Sequence, residues 1–107
     1  MITDNVLNEL KALRREPKFG EKYPIMTAEE SAAMTPIIDR LLDHLLAGAK
    51  DNPTEQWVIK QIDPAVAEFY LEDTEVREPC VDYIERIFKI FGMKGSNGAF
   101  EKYMLDI

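Results

Sequence analysis

Val76-Arg-Glu-Pro-Cys-Val-Asp-Tyr-Ile-Glu-Arg-Ile-Phe-Lys-Ile-Phe91 is the stretch whose reading decides the fold. Val76, Cys80, Tyr83, Ile84, Ile87, Phe88 and Phe91 recur at helical spacing, and Glu78, Asp82, Glu85 and Lys89 fall on the opposite side. The spacing predicts a half-buried helix. Asp73 or Thr74 is its expected cap, Pro79 is placed within or near its first turn, and Gly92 ends it as a left-handed cap residue.

Toward the N-terminus the same period recurs. Thr3 is positioned to cap a first helix that buries Val6, Leu7, Leu10 and Leu13, with Arg14 and Arg15 at its negative pole and Pro17 as its stop. Between Glu16 and Met26, Pro17, Gly20 and Pro24 interrupt Phe19, Tyr23 and Ile25, which reads as an extended connection pinned by its aromatics. Thr27-Ala-Glu-Glu30 fits a capping box. The stripe Ala33, Met34, Ile37, Ile38, Leu41, Leu42, Leu45 and Leu46 follows, and Pro36 either kinks that helix or restarts it with Thr35 as cap. Gly48 and the Asp51-Asn-Pro53 turn close it.

Trp57, Val58, Ile62, Val66, Phe69 and Tyr70 define a further segment from Thr54 to Glu72, read as two short helices or one kinked at Asp63-Pro64. After a turn over Gly92–Gly98, Ala99 to Leu105 suits a short last helix using Phe100, Tyr103 and Met104. No segment alternates with period two, so the expectation is an all-α bundle of four or five amphipathic helices, some kinked at prolines, in a single domain over residues 1–107. A chain of this length buries roughly 60 to 65% of its unfolded surface, sufficient for one core.

Composition narrows the function classes. Thirteen basic and twenty acidic residues give a net charge of -7, which disfavours phosphate backbones and anionic headgroups as partners. The single cysteine, Cys80, excludes an internal disulfide and lies in the apolar stripe as a small core residue. No apolar run approaches the roughly 18 residues that span a bilayer, and Met1-Ile-Thr-Asp-Asn5 lacks the layout of a signal peptide, so a cytoplasmic setting is expected.

Candidate chemistry is thin. His44 is the one histidine, with no second histidine or further cysteine to complete a zinc set, and adjacent Asp43 does not face it on a helix. Leu41 stands three residues before His44, so the Glu-x-x-His of bundle di-iron sites is lacking. Ser31 and Ser96 sit in helix-start and turn contexts rather than beside a base. Gly92, Gly95 and Gly98 match neither nucleotide-loop pattern. No metal or cofactor is therefore expected.

Charge layout is more informative. Asp63 to Arg86 holds eight acids and two arginines, whereas Lys11 to Lys22 holds five bases and two acids. A solvated face explains either segment alone. As interaction surfaces, the candidates are the side of the last long helix carrying Arg77, Glu78, Asp82 and Glu85, and the basic aromatic loop of Arg14, Arg15, Lys18, Phe19 and Tyr23.

Asp73-Thr-Glu-Val-Arg77, Tyr83-Ile-Glu85, Gly92, Ser96-Asn-Gly98 and the aromatic at Tyr103 together resemble domain-of-unknown-function family 4844, with the similarity carried best by the last third. The resemblance implies a small helical bacterial domain of no established activity; on physical grounds Arg77 and Glu85 are expected to link the helix to its neighbours, Gly92 and Gly98 to provide turn geometry, and Tyr83 and Tyr103 to pack. The leading expectation is a non-catalytic module that binds another protein or itself. The alternatives are a small-molecule-binding protein or small enzyme with a pocket between helices, using His44 and an acid or Tyr83 and Arg77, and an acidic inhibitor of immunity type directed at a basic target.

Overall fold

In the computed structural model, which describes residues 3–93, the chain forms four α-helices: α1 (Asp4–Arg15), α2 (Ala28–Gly48), α3 (Glu55–Phe69) and α4 (Thr74–Ile90). A 3-10 turn, Gly20–Lys22, lies in the connection between α1 and α2. The architecture is the expected all-α bundle, and no strand occurs among the described residues. The expected turn beyond Met93 and the short helix over Ala99–Leu105 lie outside the described residues.

Local chemistry sets the helix ends. Thr3 Oγ1 accepts from the Val6 amide at 3.3 Å, and Thr54 Oγ1 accepts from the Trp57 amide at 3.2 Å. At α2 the capping box is complete: Thr27 Oγ1 accepts from the Glu30 amide and Glu30 Oε1 accepts from the Thr27 amide. Asp73 is the N-cap residue of α4. Gly92, with φ +70°, ends α4; its amide reaches Lys89 O and the Met93 amide reaches back to Phe88 O, the paired bonds of a left-handed helix stop.

Three prolines sit inside helices without dividing them. Pro36 and Pro64 are on exposed positions, as are Ala32 and Lys60 four residues earlier, so the carbonyls that lose an amide partner fall on the solvent side. Of the alternatives read at each proline, the undivided helix is the one found: Thr35 does not restart α2 but donates its hydroxyl to Ser31 O at 2.7 Å, and Asp63-Pro64 lies within one continuous α3. Pro79 lies in the second turn of α4, later than expected, with its ring buried and Glu75, four residues before it, exposed.

The α4 stripe is buried throughout, from Val76 to Phe91, while Glu78, Asp82, Glu85 and Lys89 are exposed. It meets Val6, Leu10 and Leu13 of α1, Ile38, Leu42 and Leu45 of α2, and Val58, Ile62, Val66 and Phe69 of α3 in one apolar cluster. Each fully buried aliphatic or aromatic side chain of this kind contributes about 1.5–3 kcal/mol relative to exposure. Helices α2 and α4 each pack against all three others. At the α2–α3 corner a Cβ on Gly48 would lie 2.5 Å from Trp57 Cζ2, so only glycine lets the indole close over the end of α2.

Candidate functional site

The connection between α1 and α2 is the longest between helices of the described chain, and its contacts fix it as a strap across α4. Phe19 is 3% exposed, its ring 5.1 Å from that of Tyr83 and 6.0 Å from that of Tyr23, both edge-on. Its amide donates to the Tyr83 hydroxyl at 2.8 Å. Phe19 is also the one non-glycine residue with positive φ among those described, at +69°, a conformation that costs about 1–3 kcal/mol and persists only where neighbours enforce it.

On either side of Phe19 the strap is held by charge. Arg86 forms a two-pronged pair with Glu16, both bonds 2.9 Å, and its guanidinium stands 5.6 Å from the Tyr83 ring centre. This pairing holds the Glu16 carboxyl down at about 2. Lys18 is buried: its Nζ donates to Glu16 O at 2.6 Å and Arg14 O at 3.2 Å, and lies 2.8 Å from Asp39 Oδ1 on α2. The ammonium thus sits at the negative pole of α1. Arg14 reaches α2 as well, 3.3 Å from Asp39 and 2.8 Å from Asp43, and its hydrogen bond lowers the Asp43 carboxyl.

These contacts revise the basic aromatic loop expected from sequence. Phe19 and Lys18 face the interior, Arg14 is committed to α2, and Arg15 is exposed. Tyr23 is half-buried; its hydroxyl donates to Asp82 Oδ2 at 3.2 Å, and burial followed by the Asp82 charge pushes it up to about 12. The acidic face divides similarly. Arg77 Nη1 donates to Tyr70 O and Glu72 O, tying α4 to the turn before it, whereas Glu78, Asp82 and Glu85 remain on the exposed side.

The strap brings the two candidate surfaces together. Between Tyr23–Met26 and the first half of α4 lies a groove of about 250 Å³, its apolar side formed by Tyr23, Pro24, Met26 and Pro79. Glu75, Glu78 and Asp82 form one rim, and Ile25, 76% exposed, stands beside Lys22 on the other. Among the described residues, Glu75 and Glu78 have no ion-pair partner. Glu75 stands in the sequence motif Asp73–Arg77 but not among the expected interaction residues, although it lies three before Glu78 on the same face. Ile25 was legible only as a loop apolar residue, because a strap without period does not reveal which side faces water.

A second groove of about 220 Å³ runs between α2 and α3, where exposed His44 lies with Arg40, Gln61 and Glu68; Arg40 pairs with Glu68 at 3.2 Å. Tyr83 and Arg77, the other pair considered from sequence, are engaged separately, with Phe19 and with the α3–α4 turn. Burial, then the Glu72 charge, pushes the Cys80 thiol up to about 12, which leaves it un-ionised at neutral pH. Among the described residues no three His, Cys, Asp or Glu side chains are placed to hold a metal ion, and no helix is long and apolar enough to cross a membrane.

No curated protein and no solved structure matches the chain. The family model described as domain of unknown function (DUF4844) matches residues 1–107, so the likeness extends over the whole chain rather than chiefly its last third. The α4 motif, the strap and the helices they join therefore belong to one family pattern, and the chain is a member of the DUF4844 family.

Proposed function

We propose that the protein is a non-catalytic binding module, one domain over residues 1–107, that engages another protein through the groove between the strap and α4. The observation that carries this reading is Ile25: a large aliphatic side chain left 76% exposed on the lip of an apolar groove, opposite two carboxylates that have no ion-pair partner among the described residues. Scattered exposed aliphatics are ordinary, but one continuous with a groove offers a partner both apolar area and orientation. Glu85 and Arg15, exposed beyond this groove, extend the contact surface of the proposal. A cytoplasmic setting is part of it, supported by the acidic surface and the single buried thiol.

Affinity capture from a cell lysate tests it. Wild-type protein and the Ile25→Ser variant are compared at low and high salt. A partner retained by wild type and lost with Ile25→Ser supports the reading; a partner retained equally by both, or none at either salt, counts against it. Dimerisation lost in the same variant would redirect the proposal to self-association.

The α2–α3 groove motivates a second reading, a small-molecule site using His44, Arg40 and Glu68. Ligand-induced chemical-shift changes confined to these residues in a metabolite screen would favour it over the first.

A further inference from the structure

Resting on the protein-binding reading, we infer that the occupant of the strap–α4 groove is a cationic protein segment: lysines or arginines that meet Glu75, Glu78 and Asp82, flanking an aliphatic side chain that packs between Ile25 and Pro79.

Charge gives the sign. The groove is bordered by three carboxylates and one ammonium, Lys22, and Lys22 already lies 3.4 Å from Glu16. Among the described residues Asp82 accepts from the Tyr23 hydroxyl, a neutral donor, and has no ion-pair partner. An acidic occupant would face three like charges on the α4 side, whereas a basic one gains at all three carboxylates and meets one ammonium that Glu16 already pairs.

Spacing gives the shape. Glu75, Glu78 and Asp82 fall at i, i+3 and i+7 on one side of α4, a rail about 10 Å long at 1.5 Å per residue. Two cations two residues apart in an extended segment project to the same side and span about 6.6 Å at about 3.3 Å per residue. The reach of their side chains covers the rest of the rail, and the one residue between them projects to the other side. The side chain between them then points to the groove floor, where Pro79 and Met26 supply buried apolar atoms.

The rim is also rigidly mounted. Tyr23, which forms the floor and holds Asp82, is fixed by Phe19 and Tyr83, and the strap is clamped by Glu16–Arg86 and by buried Lys18. A preformed groove loses little conformational entropy on binding.

The test is selection from a randomised peptide library displayed on phage against the full chain, followed by titration of the strongest peptide. Enrichment of lysine or arginine around an aliphatic position supports the inference. The peptide should then bind the Glu75→Lys/Glu78→Lys variant at least about tenfold more weakly. Glu29→Lys/Asp51→Lys makes the same change to the net charge of -7 at exposed sites outside the groove and should retain most of the affinity. Helical circular dichroism verifies that both variants fold. Equal weakening by the two variants means attraction to overall charge and overturns the site. Enriched peptides without basic residues, lost on Ile25→Ser, overturn the cationic class while leaving the protein-binding reading standing. No enrichment overturns both.

Discussion

Helix α4 and the strap that crosses it are stabilised in opposite ways. The α4 stripe is a repeated pattern in which Val76, Cys80, Tyr83, Ile84, Ile87 and Phe88 each remove apolar surface from water. The strap has no repeat. Its position depends on individual atoms: Tyr83 Oη at the Phe19 amide, Lys18 Nζ among carbonyls and Asp39, and Arg86 at Glu16. Burial is non-directional and shared among many contacts, whereas a buried polar contact has one geometry and leaves an unpaired group when broken. The helix is therefore expected to respond to changes in volume, and the strap to changes that preserve volume but remove a single polar atom.

The largest effect should come from the helix. Ile84 is fully buried, and Ile84→Ala should lower unfolding free energy by about 3 kcal/mol, with Ile84→Val near about 1, measured by denaturant titration. Equal losses would mean that shape, not buried volume, governs α4.

Lys18→Met keeps an unbranched side chain and removes the ammonium. With Asp39 still near Arg14, the expected loss is about 2 kcal/mol, and a stabilised variant would contradict the strap account. Tyr83→Phe sharpens the contrast because it alters both regions through one oxygen. A loss of about 1.5 kcal/mol is expected, with hydrogen-exchange protection reduced at the Phe19 amide and retained along α4. Uniform loss of protection would show that the strap and helix do not open separately.

The smallest effect is electrostatic. Glu16 titrates at about 2 when folded against an ordinary 4.5, so the unfolded chain binds the proton more readily between these values. The Glu16–Arg86 contribution is accordingly complete above pH about 4.5 and is lost as pH falls toward 2. Partial exposure of both side chains limits it to about 1 kcal/mol. Thermal unfolding of wild type and Glu16→Gln should differ at pH 6 and converge near pH 2; an unchanged difference would exclude the pairing as its source.

The same contrast explains what was legible in the sequence. Four helices, their Thr3, Thr27 and Gly92 boundaries and the buried face of α4 follow from period and capping chemistry that are local. Pro36 and Pro64 left a broken and an undivided helix both open, because a proline announces a lost hydrogen bond without revealing that its side of the helix is solvent. The groove was half legible: Glu78 and Asp82 were visible as an exposed face and Tyr23 as a pinned aromatic. Their meeting depends on Phe19 turning back at positive φ toward Tyr83, a contact across 64 positions that no local pattern encodes. Lys18 illustrates the converse, since a lysine in a basic run reads as solvated until helix α1 offers its last carbonyls.

The most direct test of the binding account is chemical-shift mapping on isotope-labelled protein titrated with the selected peptide. The account predicts perturbations concentrated at Tyr23, Ile25, Met26, Glu75, Glu78 and Asp82, saturating together. Perturbations centred on Arg40, His44 and Glu68, or spread without saturation over the acidic surface, would contradict it.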